Sequence, residues 1–244
     1  MILSHMQIEE IASAVTKDFN EFFFGKDDDN ERSTAQATPI DQFAKDYLGL
    51  SVSFAHLSSD GSLCGLTTYA DTEYTIEEQG VKRTIPLKAN QVLLDMSFIQ
   101  PGQVHALCGK RRFTLAHECA HQILFGMESD NDKRTHESKY APSAAYSLRD
   151  LKTREDWNEW QANVLGAAIL MPQKEIDIAM RQFARGRVLK NYEGRFNYID
   201  RLSLTLLCQS LGVSKSAAII RLRQLGYIED RPFAEYDDPL EVWS

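Results

Sequence analysis

Two histidines four residues apart, His117 and His121, stand inside an apolar run that extends from Phe113 to Phe125. The run reads as a helix, and a helix places residues four apart on one face. The two imidazoles then project side by side, as a tetrahedral metal site requires of its first two ligands. Glu118 follows the first histidine and falls beside the remaining open position, where a carboxylate can take a proton from water. The plainer alternative is a pair of surface or core histidines. Polar side chains aligned on so apolar a helix nevertheless call for a partner within the fold.

A catalytic zinc site takes three protein ligands and leaves one position open. Downstream candidates for the third ligand are Glu128, Asp130, Asp132, His136, Glu137, Glu155, Asp156 and Glu159. The first five lie in a polar segment, Met127 to Thr153, that offers no rigid support; a stretch of that size between helices is a functional lid or a mobile loop. Glu159 sits within a well-marked helix from Arg154 to Met171, stopped by Pro172. Ala162, Gly166, Ala167 and Ala168 give that helix a small-residue face for close docking. Asn163 follows Glu159 by one turn, so its amide can orient a ligand histidine while the carboxylate binds metal. Glu159 is the preferred ligand, with Glu155 and Asp156 as alternatives.

The chain is long enough, at 244 residues, for a real core, and its 43% apolar and 25% charged residues are those of an ordinary globule. Helical spacing recurs from Ile8 to Phe22 and again after Thr38 and Pro39, with Gly49 placed as a stop. Between Leu50 and Ile99 the pattern changes to short β-rich runs: Ser51 to Ala55, Leu63 to Tyr69, Glu73 to Ile76 and Gln91 to Asp95. The expected fold is therefore α+β, with helices around a small, mostly antiparallel sheet that precedes a motif helix starting near Lys110. No apolar run reaches membrane-spanning length, and the first residues lack the features of a secretory signal. Cys64, Cys108, Cys119 and Cys208 are scattered without paired spacing, so a reducing cytoplasmic setting is expected. Cys119 reads as a small buried hydrophobe.

The segments Arg112 to His121 and Glu159 to Pro172 together resemble the ImmA/IrrE family of metallo-endopeptidases. That family carries an Arg-Phe-Thr-Leu-Ala-His-Glu-x-x-His helix and a downstream Glu-x-x-Ala-Asn helix ending in Met-Pro. The resemblance covers roughly residues 90 to 172 and implies a zincin-like domain that binds one zinc ion. It makes His117, His121 and Glu159 the metal ligands and Glu118 the general base. It further implies an intracellular endopeptidase that cuts a helix-turn-helix repressor or antitoxin. Cys119-Ala120 and Ile169 depart from the commoner residues without touching the metal positions.

Other positions follow from that chemistry. A developing oxyanion needs a donor besides the metal, and His136, Tyr140 and Tyr146 lie in the polar segment that could cover the cleft; His105 precedes the motif helix. A substrate strand could pair with a sheet edge, for which Gln91, Val92, Leu93, Leu94 and Asp95 are the preferred strand. The division expected is a zincin-like domain over residues 1–185 and a helical, helix-turn-helix-like module over residues 186–244. There Ser214 caps a second helix and Gly212 fits the turn. Lys215, Arg221, Arg223 and Gln224 are expected to face outward. From Arg181 to Arg231 ten Lys/Arg face four Asp/Glu, within a chain of net charge −8. This basic module fits docking of a protein partner better than direct DNA contact. A DNA-binding or interaction regulator with a structural metal site is the competing class.

Overall fold

The computed structural model describes residues 2–25, 33–58, 60–78, 81–128, 137–140 and 153–238. Helix α1 (His5–Phe24) opens on a capping box, in which the Ser4 hydroxyl accepts from the Gln7 amide and Gln7 reaches back to the Ser4 amide. Its buried stripe of Ile8, Ala12, Thr16 and Phe19 meets the core. Helix α2 (Ile40–Gln42) widens into a π turn over Phe43–Tyr47, and Gly49 ends the element in the left-handed region at φ +67°.

The main sheet contains β1 (Ser51–Ala55), β2 (Gly65–Thr68), β5 (Gln91–Asp95) and β6 (Glu137–Tyr140), in the order β1-β5-β2-β6. Strands β1 and β5 run parallel, whereas β2 is antiparallel to both β5 and β6. The sheet is thus mixed. Strand β5 is flanked on both sides, so the expectation that Gln91 to Asp95 forms a free edge is overturned. Its backbone groups are already committed to β1 and β2, and its nearly continuous burial is that of an interior strand. Side-chain alternation divides the two faces: Leu66 and Leu93 join Leu57 and Leu87 in a small second core, while Val92 and Leu94 enter the main one. The hairpin of β3 (Thr72–Glu78) and β4 (Val81–Leu87) contributes Tyr74, Ile85 and Leu87 to the small core.

Helix α3 (Val104–Gly126) begins two turns before the expected start at Lys110. Gly109 does not break it, because at that point the helix meets another segment: a Cβ there would stand 2.8 Å from the Ser214 amide nitrogen. Helix α4 (Arg154–Leu170) starts at a Thr153/Asp156 capping box and packs along α3. Then follow α5 (Gln173–Ala184), α6 (Tyr198–Leu211) and α7 (Lys215–Gln224), with a parallel pair, β7 (Leu189–Tyr192) and β8 (Ile228–Arg231). Helices α6 and α7 are bent 103° apart, Gly212 turns the chain at φ +63°, and the Ser214 hydroxyl caps α7. No single helix among the described residues is long and apolar enough to cross a membrane; α6 and α7 satisfy length and composition only as this bent pair.

Arg221 departs from the outward orientation expected of it. It is fully buried, and its guanidinium clasps Glu9 of α1 while Nε donates to the Met171 carbonyl at 3.1 Å. Helical periodicity put a cation on a face that tertiary packing encloses, and two polar partners compensate its burial. On the same helix Ile220 is 53% exposed, so the apolar residue and the arginine exchange the places that polarity alone gives them. Replacing Arg221 with Leu strips Glu9 and the Met171 carbonyl of a donor. We expect a loss of about 2–4 kcal/mol in urea unfolding; an unchanged midpoint would mean that the buried pair contributes nothing.

Candidate metal centre

The central turns of α3 are buried from Thr114 to His121. His117 and Glu118 are fully enclosed and His121 is nearly so. Opposite them α4 carries Glu159, and the close approach that brings it there occurs at Gly166. A Cβ at that position would stand 3.0 Å from the His117 amide nitrogen and 3.1 Å from the Ala116 carbonyl carbon. The small-residue face of α4 therefore sets the distance between the helices.

His117 Nε2 lies 3.2 Å from Glu159 Oε2, and His121 Nε2 lies 3.3 Å from Glu159 Oε1. The two Nε2 atoms are 3.0 Å apart. An ion with bonds of about 2.0–2.1 Å in tetrahedral coordination holds neighbouring ligand atoms about 3.3–3.4 Å apart. The three side chains fit such an ion with shifts of a few tenths of an ångström. Among the described residues this is the His/Cys/Asp/Glu group whose ligand atoms cluster closely enough for a metal. The Asn163 side chain, on the next turn of α4, lies close enough to His117 to raise the basicity of its ring slightly.

Electrostatics agree with ligand chemistry. Burial and the neighbouring His121 lower the His117 pKa to about 4, against the opposing influence of Glu159 and Asn163. The ring is then neutral at physiological pH, the form that binds metal. Burial disfavours ionised Glu159, yet its bonds to both histidines hold the carboxyl well below the ordinary range. Glu118 behaves oppositely: burial, and then the charge of Glu159, push its pKa well up. Both of its oxygens are enclosed without a hydrogen-bond partner among the described residues. An uncompensated buried carboxyl beside three converging ligand atoms is matched by a cation at that point.

The other sequence candidates fall elsewhere. Asp130, Asp132, His136 and Tyr146 lie outside the described residues, while Tyr140 and Glu137 are placed as backbone of β6. Glu128 pairs with Arg154 at 3.0 Å, Asp156 caps α4, and Glu155 is exposed at the start of that helix. His105 is exposed and twelve residues before His117, about 18 Å along the axis. Cys119 is fully buried, which raises its thiol pKa well above the usual range. Sequence reasoning missed the wall that β2 builds beside α3. Gln122 Nε2 donates to Thr67 Oγ1 at 2.7 Å and to the Thr68 carbonyl at 3.0 Å. The Tyr69 ring stacks on Phe125 with centroids 4.0 Å apart. Its hydroxyl is held neutral by burial and by the charges of Glu118, Glu159 and Glu128.

Residues 108–223 match the family model of M78 peptidases, described as the IrrE N-terminal-like domain. This stretch is similar to M78 peptidase domains of the IrrE type, the likeness already read from the two motif helices. The matched stretch contains the His117, His121 and Glu159 cluster together with α6 and most of α7, whereas β1 to β5 precede it. No curated protein matches the chain.

Two outcomes follow for the His117, His121 and Glu159 cluster. Gly166→Val forces α4 away from α3, and we expect about 10–100-fold weaker zinc binding by calorimetric titration; unchanged affinity would show that the helix spacing does not set the ligand geometry. The second concerns pH in the metal-free protein. His117 titrates near 4 in the fold and near its ordinary 6.5 when unfolded, so its contribution to stability is lost as pH falls through that window. The raised pKa of Glu118 works the other way, giving stability that is lost as pH rises above the ordinary 4.5. The two slopes oppose each other in the parent chain. Glu118→Gln removes the second, and urea midpoints of that variant should fall more steeply from pH 6.5 to 4. Parallel profiles would contradict the assignment.

Proposed function

We propose that this protein is a zinc-dependent endopeptidase of the cytoplasm that cuts a regulatory protein, a helix-turn-helix repressor or antitoxin. The observation that carries the reading is Glu118: a fully buried carboxyl, unpaired among the described residues, adjacent in sequence to one candidate ligand and packed beside the whole cluster. A residue that served structure alone would have a bonded partner there. Two imidazoles and a carboxylate with a further position open are a donor set suited to zinc. The four free cysteines accord with a reducing compartment.

Zinc held by His117, His121 and Glu159 would polarise the scissile carbonyl and bring the pKa of an attacking water from about 15.7 towards 7. Glu118 accepts the proton of that water and delivers it to the leaving amine, and its raised pKa suits both halves of the transfer. Asn163 stands beside the His117 ring, and burial keeps that ring neutral. The neutral Tyr69 hydroxyl is the donor this reading assigns to the developing oxyanion.

The competing reading, a DNA-binding or interaction regulator, draws on the 103° crossing of α6 and α7. Less supports it: Arg221 is enclosed, Arg223 is held by Asp230, and Arg187 is held by Asp200. Co-expression with a small helix-turn-helix repressor, where one is found to be encoded beside this gene, separates the two classes. We expect one zinc per chain by mass spectrometry, loss of the repressor with the parent protein, and its persistence with Glu118→Gln. Equal repressor levels and no fragments in both cases would remove the peptidase reading.

A further inference from the structure

Strand β2 starts at Gly65, paired with Leu94 on one side and Tyr140 on the other. A glycine weakens the interior of a strand relative to alanine. Its backbone lies outside the left-handed region, so conformation does not require it. Space does. A Cβ at this position would stand 2.5 Å from Glu118 Oε1, 3.2 Å from Glu118 Cδ and 2.6 Å from Thr114 Cγ2.

The surroundings determine which group would yield. Strand β2 is flanked by β5 and β6 and tied to α3 through Gln122. Thr114 is anchored by its hydroxyl, which donates to the Lys110 carbonyl at 3.0 Å. The Glu118 carboxyl has no such tether among the described residues and is the far end of a flexible side chain. A methyl at position 65 would therefore displace the carboxyl before it moved the strand or the helix.

We propose that Gly65 is a positioning residue for Glu118: the absent side chain leaves the recess that holds this carboxyl beside His117, His121 and Glu159. The inference rests on reading Glu118 as the general base. Gly65 lies before the segment matched by the M78 family model, so the matched domain would depend on the preceding sheet for the placement of its base.

A double-mutant cycle on the metal-free full chain tests the contact without any substrate. Gly65→Ala should lower Tm by roughly 3–10 °C in the parent background and by less than about half as much in the Glu118→Ala background. Equal losses in both backgrounds overturn the proposal. Thr114→Ser removes the competing methyl contact and keeps the hydroxyl; if it alone abolishes the cost of Gly65→Ala, the glycine serves packing on Thr114 and the proposal fails. Should Gly65→Ala alone not fold, recovery of folded protein on adding Glu118→Ala supports the contact, and failure to recover overturns it. In the repressor assay, zinc-loaded Gly65→Ala should keep one metal per chain and lose cleavage about 100-fold or more, with KM little changed. Cleavage at the parent rate overturns the positioning role. Full activity of Glu118→Gln would instead remove the peptidase reading and leave the thermal coupling to be judged separately.

Discussion

The approach of α4 to α3 at Gly166 fixes much of what surrounds the centre. With a hydrogen in place of a side chain, the α4 backbone comes within van der Waals reach of the His117 backbone. Glu159 is then carried, two turns earlier on α4, to the two imidazoles. The same contact encloses the central turns of α3 and so depresses the basicity of His117. Without it the three ligand atoms would separate and the rings would regain water. One short interhelical distance thus sets both the geometry and the protonation state of the cluster.

The carboxyls of this site are sorted by environment. Glu159 accepts bonds from both histidines and stays ionised despite burial. Glu118, one residue from His117, has no such partner among the described residues and takes up a proton readily. Two identical functional groups thereby acquire opposite protonation preferences, one held as an anion and one held neutral. The sheet contributes as much to this as the helices do, because β2 closes the side of Glu118 that α4 leaves open.

Residues whose roles follow local periodicity were readable from the chain. His117, Glu118 and His121 share a helix, and Glu159, Asn163 and Gly166 share another, so their faces follow from spacing alone. The Gly212 turn and the Ser214 cap were equally local. The place of β5 was not, because its pairing with β1 is parallel and joins strands some forty residues apart. A run of apolar residues flanked by polar ones does not say which neighbours it takes. Arg221 escaped for a related reason: its partners, Glu9 and Met171, lie on elements distant in sequence, and composition alone reads an arginine as exposed. Gly65 carried a signal, a glycine inside a strand, but the group it accommodates comes from a helix some fifty residues later.

Arg112 lies on the helix of His117 and His121, and its guanidinium donates to the Gly212 carbonyl at 2.9 Å and to the Thr38 carbonyl at 2.7 Å. Gly109, one turn earlier, meets the Ser214 backbone. The turn between α6 and α7 therefore bears directly on the rod that holds both imidazoles, with no flexible tether between them. Thermodynamic reciprocity then applies: a ligand whose binding shifts that turn changes the affinity of the centre for its ion, and the ion changes the affinity for that ligand by the same factor.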